Sequence, residues 1–378
     1  MDLVLALDAG TTGIRTVAFN PQLEVVFESY RELTQFFPSP GEVEHDPIEI
    51  AELAISTLRE VAIQALDARH KIVTIGITNQ RETTVGFDRE TGLPFHRAIV
   101  WQDRRTAATC QKLEDEGHGP QVRATTGLVL DSYFSATKMR WMLDHGAADG
   151  ARRPSFSTVD TWLLWTLTGG VDGGVYATEP SNASRTMLLD LATLKWSTSM
   201  MALVDIDPAM LAKVRPSATR FGTVSRGVIS ELAGVPITGI LGDQQSALFG
   251  QACFSPGLVK ATYGTGAFVL ANAGADVPSV VDGLVTTVAW DLSEVGPVAY
   301  ALEGSAFVAG AAVQWLRDLG IIAASSDLES LALSVPNSAG ALFVPSFTGL
   351  GSPFWRAEAR GAIMGLSRGV GRGELARA

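Results

Sequence analysis

Cysteine, net positive charge and long apolar runs are all scarce in this sequence of 378 residues. The two cysteines, Cys110 and Cys253, lie far apart and form no CxxC or Cys/His metal-binding spacing, which favours a reduced, cytoplasmic setting. No run approaches the roughly 18 apolar residues that cross a bilayer, and the amino-terminal MDLVLALDAG lacks the basic flank of a secretory signal. Membrane insertion is therefore not expected.

Acidic residues outnumber basic ones. Lys and Arg total 29 against 40 Asp and Glu, which gives a net charge of −11 at pH 7. This balance argues against a nucleic-acid backbone or an anionic membrane surface as partner. It does not exclude a small anionic ligand, because a pocket needs few cations. With 46% hydrophobic and 18% charged residues, the chain is expected to fold, and its length favours about two domains.

An α/β pattern opens the chain. Residues 3–10 and the segment TVAFN predict two strands around a Gly/Thr turn, and HDPIEIAELAISTLREVAIQAL (residues 45–66) carries apolar residues at helical spacing. Asp46 fits the N-cap of this helix, Pro47 its first position and Glu49 the partner in a capping box. KIVTIGIT then predicts another strand, so that strand, helix and strand form a parallel unit.

Two Gly/Thr turns each lie between two strand-like runs, in DAGTTGIR (residues 8–15) and in TYGTGAF (residues 262–268). Backbone N–H groups of such a turn can converge on phosphate oxygens. In the first, Asp8 could hold Mg²⁺ and Arg15 could meet phosphate charge. A plain hairpin explains a single turn equally well, and the repeat favours one phosphate loop in each domain.

Polar residues follow two apolar strands. NQRETT (residues 79–84) places Arg81 beside Glu82 at a strand end, where open α/β sheets bind ligands and where the pair would suit polyol hydroxyls. Alternatively, the two charges form an ordinary solvated ion pair. GDQQ (residues 242–245) places one acid and two amides where an apolar run ends, and its ordinary explanation is a turn in which Asp243 caps the helix that opens at Gln244. The aromatic residues Trp101, Tyr133 and Phe268 would fit either a core or the apolar wall of a small site.

Together these stretches resemble the FGGY family of carbohydrate kinases. The resemblance is carried, in family order and across essentially the whole chain, by LALDAGTTGIR, ITNQRETTVGF, IVWQDRRT, SYFSATKMRWML, TVDTWLLWTLTGG, SNASRTML, GILGDQQSALFGQ, TYGTGAF, LEGSAFVAGAAVQWLRD and FVPSFTGLGSPFW. NQRETT together with GDQQ is similar to the members that act on glycerol. The resemblance implies an α/β, actin-like ATPase fold with ribonuclease H-like halves, as domains 1–252 and 253–378, around a catalytic cleft.

The resemblance also implies ATP-dependent phosphorylation of glycerol, with ATP/ADP and Mg²⁺ as the nucleotide and metal. It implies Asp243 as catalytic base, with glycerol ligands at Arg81, Glu82, Tyr133, Asp243 and Gln244 and an apolar wall of Trp101 and Phe268. It implies nucleotide contacts at Thr11, Thr12, Gly13, Arg15, Thr265, Gly310 and Gln314, and a metal site at Asp8 and Asp243.

The sequence departs from the family pattern at several positions. Gly13 and Ile14 stand where the family often has serines, which removes side-chain contacts from the first turn but keeps its backbone donors. The chain stops at RGELARA, in a segment that opens a helix in relatives, so the second domain is expected to be incomplete. Homo-oligomers are compatible with the apolar surface that this would expose.

Three alternatives remain at this point. The chain could be a family kinase for another polyol or sugar, a non-catalytic fragment that only binds glycerol, or an actin-like filament or chaperone ATPase. The last gives NQRETT no purpose.

Overall fold

The computed structural model describes residues 1–378. Its strands are β1 (Asp2–Ala9), β2 (Gly13–Phe19), β3 (Val25–Glu32), β4 (Glu44–His45), β5 (Lys71–Asn79), β6 (Val85–Asp88), β7 (Ala98–Ile99), β8 (Pro154–Ser157), β9 (Ala177–Thr178), β10 (Leu189–Asp190), β11 (Lys195–Trp196), β12 (Lys213–Val214), β13 (Gly222–Thr223), β14 (Pro236–Gly242), β15 (Val259–Tyr263), β16 (Ala267–Gly274), β17 (Val285–Asp291), β18 (Val298–Ala306), β19 (Leu342–Val344) and β20 (Ala362–Met364). Its α-helices are α1 (Pro47–Asp67), α2 (Ala107–Asp115), α3 (Gly119–Thr126), α4 (Ser135–Asp144), α5 (Val159–Leu167), α6 (Pro180–Ala183), α7 (Thr198–Leu203), α8 (Asp243–Gly250), α9 (Gly310–Asp318), α10 (Asp327–Leu333) and α11 (Arg372–Arg377).

A six-stranded sheet in the order β13–β14–β5–β1–β2–β3 organises the first part of the chain. β1 pairs with β5 and β5 with β14 in parallel, whereas β2 and β3 continue from β1 as antiparallel strands. The carboxyl ends of β1, β5 and β14 therefore meet at one edge of the sheet. The turn after β1, the NQRETT segment and the GDQQ segment all begin at this edge, which confirms the predicted strand–helix–strand unit.

Helix α1 packs against this sheet through the apolar face that its spacing predicts. Alternate residues of β1 are buried, and they join Ile50 and Leu58 of the helix in an apolar core that also includes α5. The predicted N-cap is confirmed, since Asp46 accepts a hydrogen bond of 2.8 Å from the backbone N–H of Ile48. The predicted capping box is wrong. The Glu49 carboxylate instead accepts from the backbone N–H and the hydroxyl of Thr34, which leaves it no role at the N-cap.

A four-stranded antiparallel sheet in the order β15–β16–β18–β17 forms the second structural centre. β15 and β16 form a hairpin around residues 264–266, as β1 and β2 do around residues 10–12, so both predicted Gly/Thr hairpins are confirmed. A second core of apolar residues runs from the segment around Trp101 and Tyr133 to Phe268 and Phe307 near this sheet. It joins the two sheets across the predicted border at residue 252, and that border stays a prediction.

No helix has both the length and the apolar character needed to cross a bilayer. The two cysteines are free and buried, Cys110 beside helix α4 and Cys253 just after helix α8.

Candidate active site

A cleft lies between the strand ends of the first sheet and the β15–β16 hairpin of the second. It is lined by Thr11, Thr12, Gln80, Arg81, Glu82, Trp101, Tyr133, Asp243, Gln244, Thr262, Gly264, Thr265, Gly266 and Phe268. Every residue predicted to bind substrate is among them. So are Thr11, Thr12 and Thr265 from the predicted phosphate loops. Asp8, Gly13, Arg15, Gly310 and Gln314 do not line the cleft directly.

The first Gly/Thr turn is held from several sides. The Trp101 indole N–H donates to the Thr11 hydroxyl at 2.9 Å, and the backbone N–H of Leu33 donates to the Thr12 carbonyl at 3.0 Å. Gly13 leaves room for the ring of Tyr30, because a Cβ at Gly13 would lie only 2.4 Å from the Tyr30 hydroxyl oxygen. The absence of a side chain at this position is therefore matched by an aromatic ring packed against the turn.

The second turn is fixed by the start of helix α9. The backbone N–H of Gly310 donates to the Gly264 carbonyl at 2.9 Å, and those of Ala309 and Ala311 donate to the Thr265 carbonyl at 2.8 and 3.1 Å. A Cβ on Gly310 would approach the Gly264 carbonyl oxygen to 2.6 Å, so only glycine permits this contact. Gly310 is predicted to lie on the helix that borders the nucleotide, and this contact packs the start of that helix against the second turn. Gln314 instead donates to Asp318 along the exposed side of α9.

Arg81 and Glu82 are buried, which excludes the alternative of a solvated surface ion pair. Each side chain is only 2% exposed, and Arg81 Nε lies 3.8 Å from a Glu82 carboxylate oxygen. Glu82 has a φ of 59°, a conformation that a residue with a side chain rarely adopts. Its carbonyl accepts from Ser135 at 2.8 Å and from Thr84 at 3.1 Å, and these bonds hold the unusual turn. Local backbone strain of this kind is concentrated at functional sites.

Two further charged residues complete this buried cluster, and the sequence analysis missed both. Glu303 of β18 accepts from Arg81 at 2.5 and 3.1 Å and from Arg185 at 2.9 Å. Arg185 also donates to Glu82 at 2.6 Å. Burial alone would raise the pKa of Glu303, but the charges of Arg185 and Arg81 with hydrogen bonds from Arg81 and Ser305 lower it to about 2. An acid within the apolar run AYALEGSA was the available signal.

Aromatic rings form one wall of the cleft. The centroid of Trp101 lies 5.8 Å from those of Tyr133 and Phe268, and 6.4 Å from that of Phe307. The Tyr133 hydroxyl also accepts a hydrogen bond of 3.3 Å from Arg81, which places a polar group at the edge of this wall. The arrangement combines an apolar surface with hydroxyl-binding groups, as a small polyol requires.

Asp243 begins helix α8 at the end of β14. The N-cap is Gly242, so the alternative in which Asp243 caps a helix that opens at Gln244 is wrong. One Asp243 oxygen accepts from the backbone N–H of Gln244 at 2.7 Å and lies 3.4 Å from Arg81 Nε, and the other accepts from the Gln244 carboxamide at 3.0 Å. The Asp243 side chain remains 36% exposed, whereas Arg81 is almost fully buried. A carboxylate held in this way faces the cleft and can accept a proton there.

Asp8 and Asp243 are the two carboxylates predicted to hold a metal ion. Burial and the charge of Asp243 raise the pKa of Asp8 to about 6, although Arg15, its partner across the β1–β2 hairpin, acts in the opposite direction. No group of three or more His, Cys, Asp or Glu side chains converges as a complete metal site. Mg²⁺ commonly takes only one or two protein carboxylates with phosphate oxygens and water, so this pair fits its donor chemistry when a nucleotide is present.

Family models match both parts of the chain. The N-terminal domain of the FGGY family of carbohydrate kinases matches residues 3–250, and its C-terminal domain matches residues 259–378. The chain belongs to the FGGY family of carbohydrate kinases. It therefore has the predicted two-domain, actin-like ATPase fold, and the family resemblance that its motifs indicate is confirmed.

Glycerol kinases are among the family's curated members that this chain is similar to. It is 50% identical to the glycerol kinase of Leptothrix cholodnii over 384 residues, which cover 100% of this chain and 76% of that protein. It is 49% identical to the glycerol kinase of Albidiferax ferrireducens over 385 residues, which again cover 100% of this chain and 76% of that protein. The chain thus spans about three quarters of the length of these relatives.

Solved structures of the family have the same architecture. The crystal structure of Plasmodium falciparum glycerol kinase with ADP matches with a TM-score of 0.85 at 34% identity, over 100% of this chain and 75% of that one. A ligand-bound xylulose kinase from Lactobacillus acidophilus matches with a TM-score of 0.84 at 20% identity, over 100% of this chain and 75% of that one. The second likeness concerns the fold alone.

Proposed function

We propose that this protein transfers the γ-phosphoryl group of ATP to glycerol and releases sn-glycerol 3-phosphate and ADP. The observation that carries the proposal is the position of Asp243. Its partly exposed carboxylate faces a cleft that has Gly/Thr turns and, on the same surface, the buried Arg81–Glu82 pair. The identity of 50% to a glycerol kinase supports the choice of substrate.

Asp243 acts as general base. It accepts the proton of a glycerol hydroxyl as the oxygen of that hydroxyl bonds to the γ-phosphorus and the bond from that phosphorus to the ADP oxygen breaks. The Arg81 guanidinium, 3.4 Å from Asp243, and the Gln244 carboxamide hold the carboxylate in place. Positioning and charge stabilisation supply most of the rate enhancement in this class of reaction.

Glycerol binds through hydroxyl contacts and one apolar wall. Arg81, Tyr133 and Gln244 offer donors, and Glu82 and Asp243 offer acceptors. Trp101 and Phe268 cover the carbon skeleton. Because Arg81 and Glu82 are fixed by Arg185 and Glu303, the donor and acceptor positions are set before the substrate arrives.

The nucleotide phosphates lie between the two Gly/Thr turns. Backbone N–H groups and the hydroxyls of Thr11, Thr12 and Thr265 are the donors on this side of the cleft. Gly13 allows the close approach of Tyr30 to the first turn, and Gly310 fixes the second. Arg15 supplies positive charge near Asp8, and Gln314 belongs to the helix that borders the nucleotide.

Asp8 and Asp243 are the carboxylates that would hold Mg²⁺, directly or through water. Bound there with ATP, the ion would neutralise charge that builds up on the transferring phosphate. We include a cytoplasmic location, domains 1–252 and 253–378, and self-association in the proposal. The net charge of −11 gives no support to a nucleic-acid partner.

A substrate panel tests the proposal. ADP release should be measured with Mg-ATP and glycerol, a pentulose, a hexonate or a longer polyol, and kcat/KM compared among them. Glycerol is expected to give the highest value. A higher value for another compound would establish a different substrate, and glycerol binding in calorimetry without ADP release would establish a binding protein without turnover.

A further inference from the structure

Lys260 of β15 is a buried cation without a carboxylate partner. Its side chain is nearly inaccessible, with the residue only 4% exposed, and it takes part in no ion pair. The ammonium donates instead to the Gln244 carboxamide oxygen, to the Thr262 hydroxyl at 3.0 Å and to the Phe268 carbonyl at 3.4 Å. Burying a lysine without a counterion is costly, so this position calls for an explanation beyond packing.

The contact to Gln244 determines which way that carboxamide points. An ammonium group can only donate, so it must face the amide oxygen. The NH₂ end is then directed towards Asp243, to which it donates at 3.0 Å. A carboxamide free of Lys260 could turn its oxygen towards the Asp243 carboxylate, and that arrangement would be repulsive.

The same contact joins the two parts of the molecule. Lys260 lies on the strand that leads into the second Gly/Thr turn, whereas Gln244 and Asp243 lie at the end of the first sheet. Two hydrogen bonds, from Lys260 to Gln244 and from Gln244 to Asp243, therefore link β15 to the Asp243 carboxylate, and a displacement of β15 relative to helix α8 would move that carboxylate.

Lys260 is protonated at neutral pH even though its surroundings lower its pKa. Burial and the charge of Arg81 lower its pKa to about 8, while Glu303, Asp243 and Cys253 act in the opposite direction. The ammonium form, which the Gln244 contact needs, thus predominates at pH 7.

We propose that Lys260 is a positioning residue that fixes the Gln244 carboxamide and, through it, holds the Asp243 carboxylate towards the substrate hydroxyl. The kinetic part of this inference rests on the proposed glycerol phosphorylation. The hydrogen-bonded chain from Lys260 to Asp243 does not, and can be tested separately.

Lys260→Met removes the donors and keeps most of the side chain's length. The expected result is a fall in kcat approaching 10²-fold, the loss that a misplaced reacting group can cause. The KM for ATP and the melting temperature should change little. Lys260→Arg, which retains donors, should recover part of the loss, and Lys195→Met on the exposed β11 strand serves as the control for the same substitution. An unchanged kcat in Lys260→Met would overturn the proposal.

A double-mutant cycle separates positioning from general packing. In a Gln244→Leu background the hydrogen-bonded chain from Lys260 to Asp243 is already broken, so Lys260→Met should cause little further loss in kcat. Equal losses of kcat in both backgrounds would show that Lys260 does not act through Gln244.

Side-chain amide NMR tests the contact without any need for turnover. With ¹⁵N in the glutamine carboxamides, the Gln244 NH₂ signals should shift and lose hydrogen-exchange protection in Lys260→Met, but not in Lys195→Met. Unchanged Gln244 signals would refute the proposal even in an inactive protein. Absence of glycerol-dependent ADP release in the unaltered protein, with the NMR effect present, would refute the proposed reaction alone.

Discussion

Arg81 Nε lies 3.4 Å from a carboxylate oxygen of Asp243, although the two residues belong to different strand ends of the first sheet. The other guanidinium nitrogens of Arg81 donate to Glu303, Tyr133 and Gln245. One buried cation therefore contacts both the proposed base and Tyr133, another group proposed to bind glycerol. Arg81 therefore positions groups for both proton removal and substrate binding.

Asp243→Asn keeps the size of the side chain but cannot take a proton. We expect kcat for glycerol-dependent ADP release to fall by about 10²–10⁴-fold, as is typical of losing a general base. Glycerol affinity should change much less. Asp276→Asn, on an exposed loop, is the matched control. Near-normal turnover by a folded Asp243→Asn protein would remove Asp243 from the mechanism.

Glu303→Gln removes one of the two carboxylates that Arg81 and Arg185 share and leaves only Glu82 for both. Because the Glu303, Arg81 and Arg185 side chains are at most 2% exposed, we expect a loss of about 3–5 kcal/mol in the free energy of unfolding, measured by urea denaturation. Glu358→Gln disrupts the exposed Arg356–Glu358 pair and should cost less than about 1 kcal/mol. Similar small costs for both substitutions would mean that the buried cluster contributes little to stability.

Gly310→Ala places a methyl group against the carbonyl of Gly264. The resulting shift of the second turn should raise the KM for ATP by about 5–150-fold, the equivalent of the roughly 1–3 kcal/mol that overpacking usually costs. The KM for glycerol should stay close to that of the unaltered protein. Gly250→Ala adds the same methyl group where no atom lies within 4 Å, and it should change neither constant.

Glu179 should make stability depend on pH. Burial raises the pKa of this carboxyl to about 7 despite hydrogen bonds from Ser181 and Ser217 that oppose the shift. The folded state binds the Glu179 proton more tightly than the unfolded state does, and this difference stabilises the fold. The contribution is fully present below the ordinary pKa of 4.5 and is lost as the pH rises through about 7.

Glu179→Gln removes this titration. The stability of the variant relative to the unaltered protein should therefore increase between pH 4.5 and pH 8, by at most about 3 kcal/mol. Unfolding should be followed in urea at each pH, with the exposed Glu114→Gln as control. A difference that stays constant with pH would show that Glu179 has the same pKa in the folded and the unfolded protein.

Local sequence patterns predict the elements that carry the site. The two Gly/Thr hairpins, the N-cap at Asp46 and the polar segments after β5 and β14 all follow from turn chemistry and apolar spacing within a few residues. The capping box at Glu49 is wrong because Thr34, distant in sequence, competes for the same carboxylate. Local rules cannot register such a competitor.

Long-range charge pairing is the part that the sequence could not predict. Arg81 and Glu303 are 222 residues apart, and Arg185 reaches Glu303 over 118 residues. The residues next to an arginine or a glutamate in the sequence do not indicate which oppositely charged residue it will pair with in the folded protein. The contact of Gln314, by contrast, is local. This residue is predicted to lie on the helix that borders the nucleotide, and its side chain donates to Asp318 on the same helix.

The most direct test of the central claim is ³¹P NMR of the protein with Mg-ATP and glycerol. The account predicts that the γ-phosphate signal of ATP decays while signals of ADP and one phosphomonoester, identified as glycerol 3-phosphate by addition of the authentic compound, grow in equal amounts. Without glycerol, the ATP signals should persist. Release of inorganic phosphate independent of glycerol, or no phosphomonoester from a folded protein that binds both substrates, would contradict it.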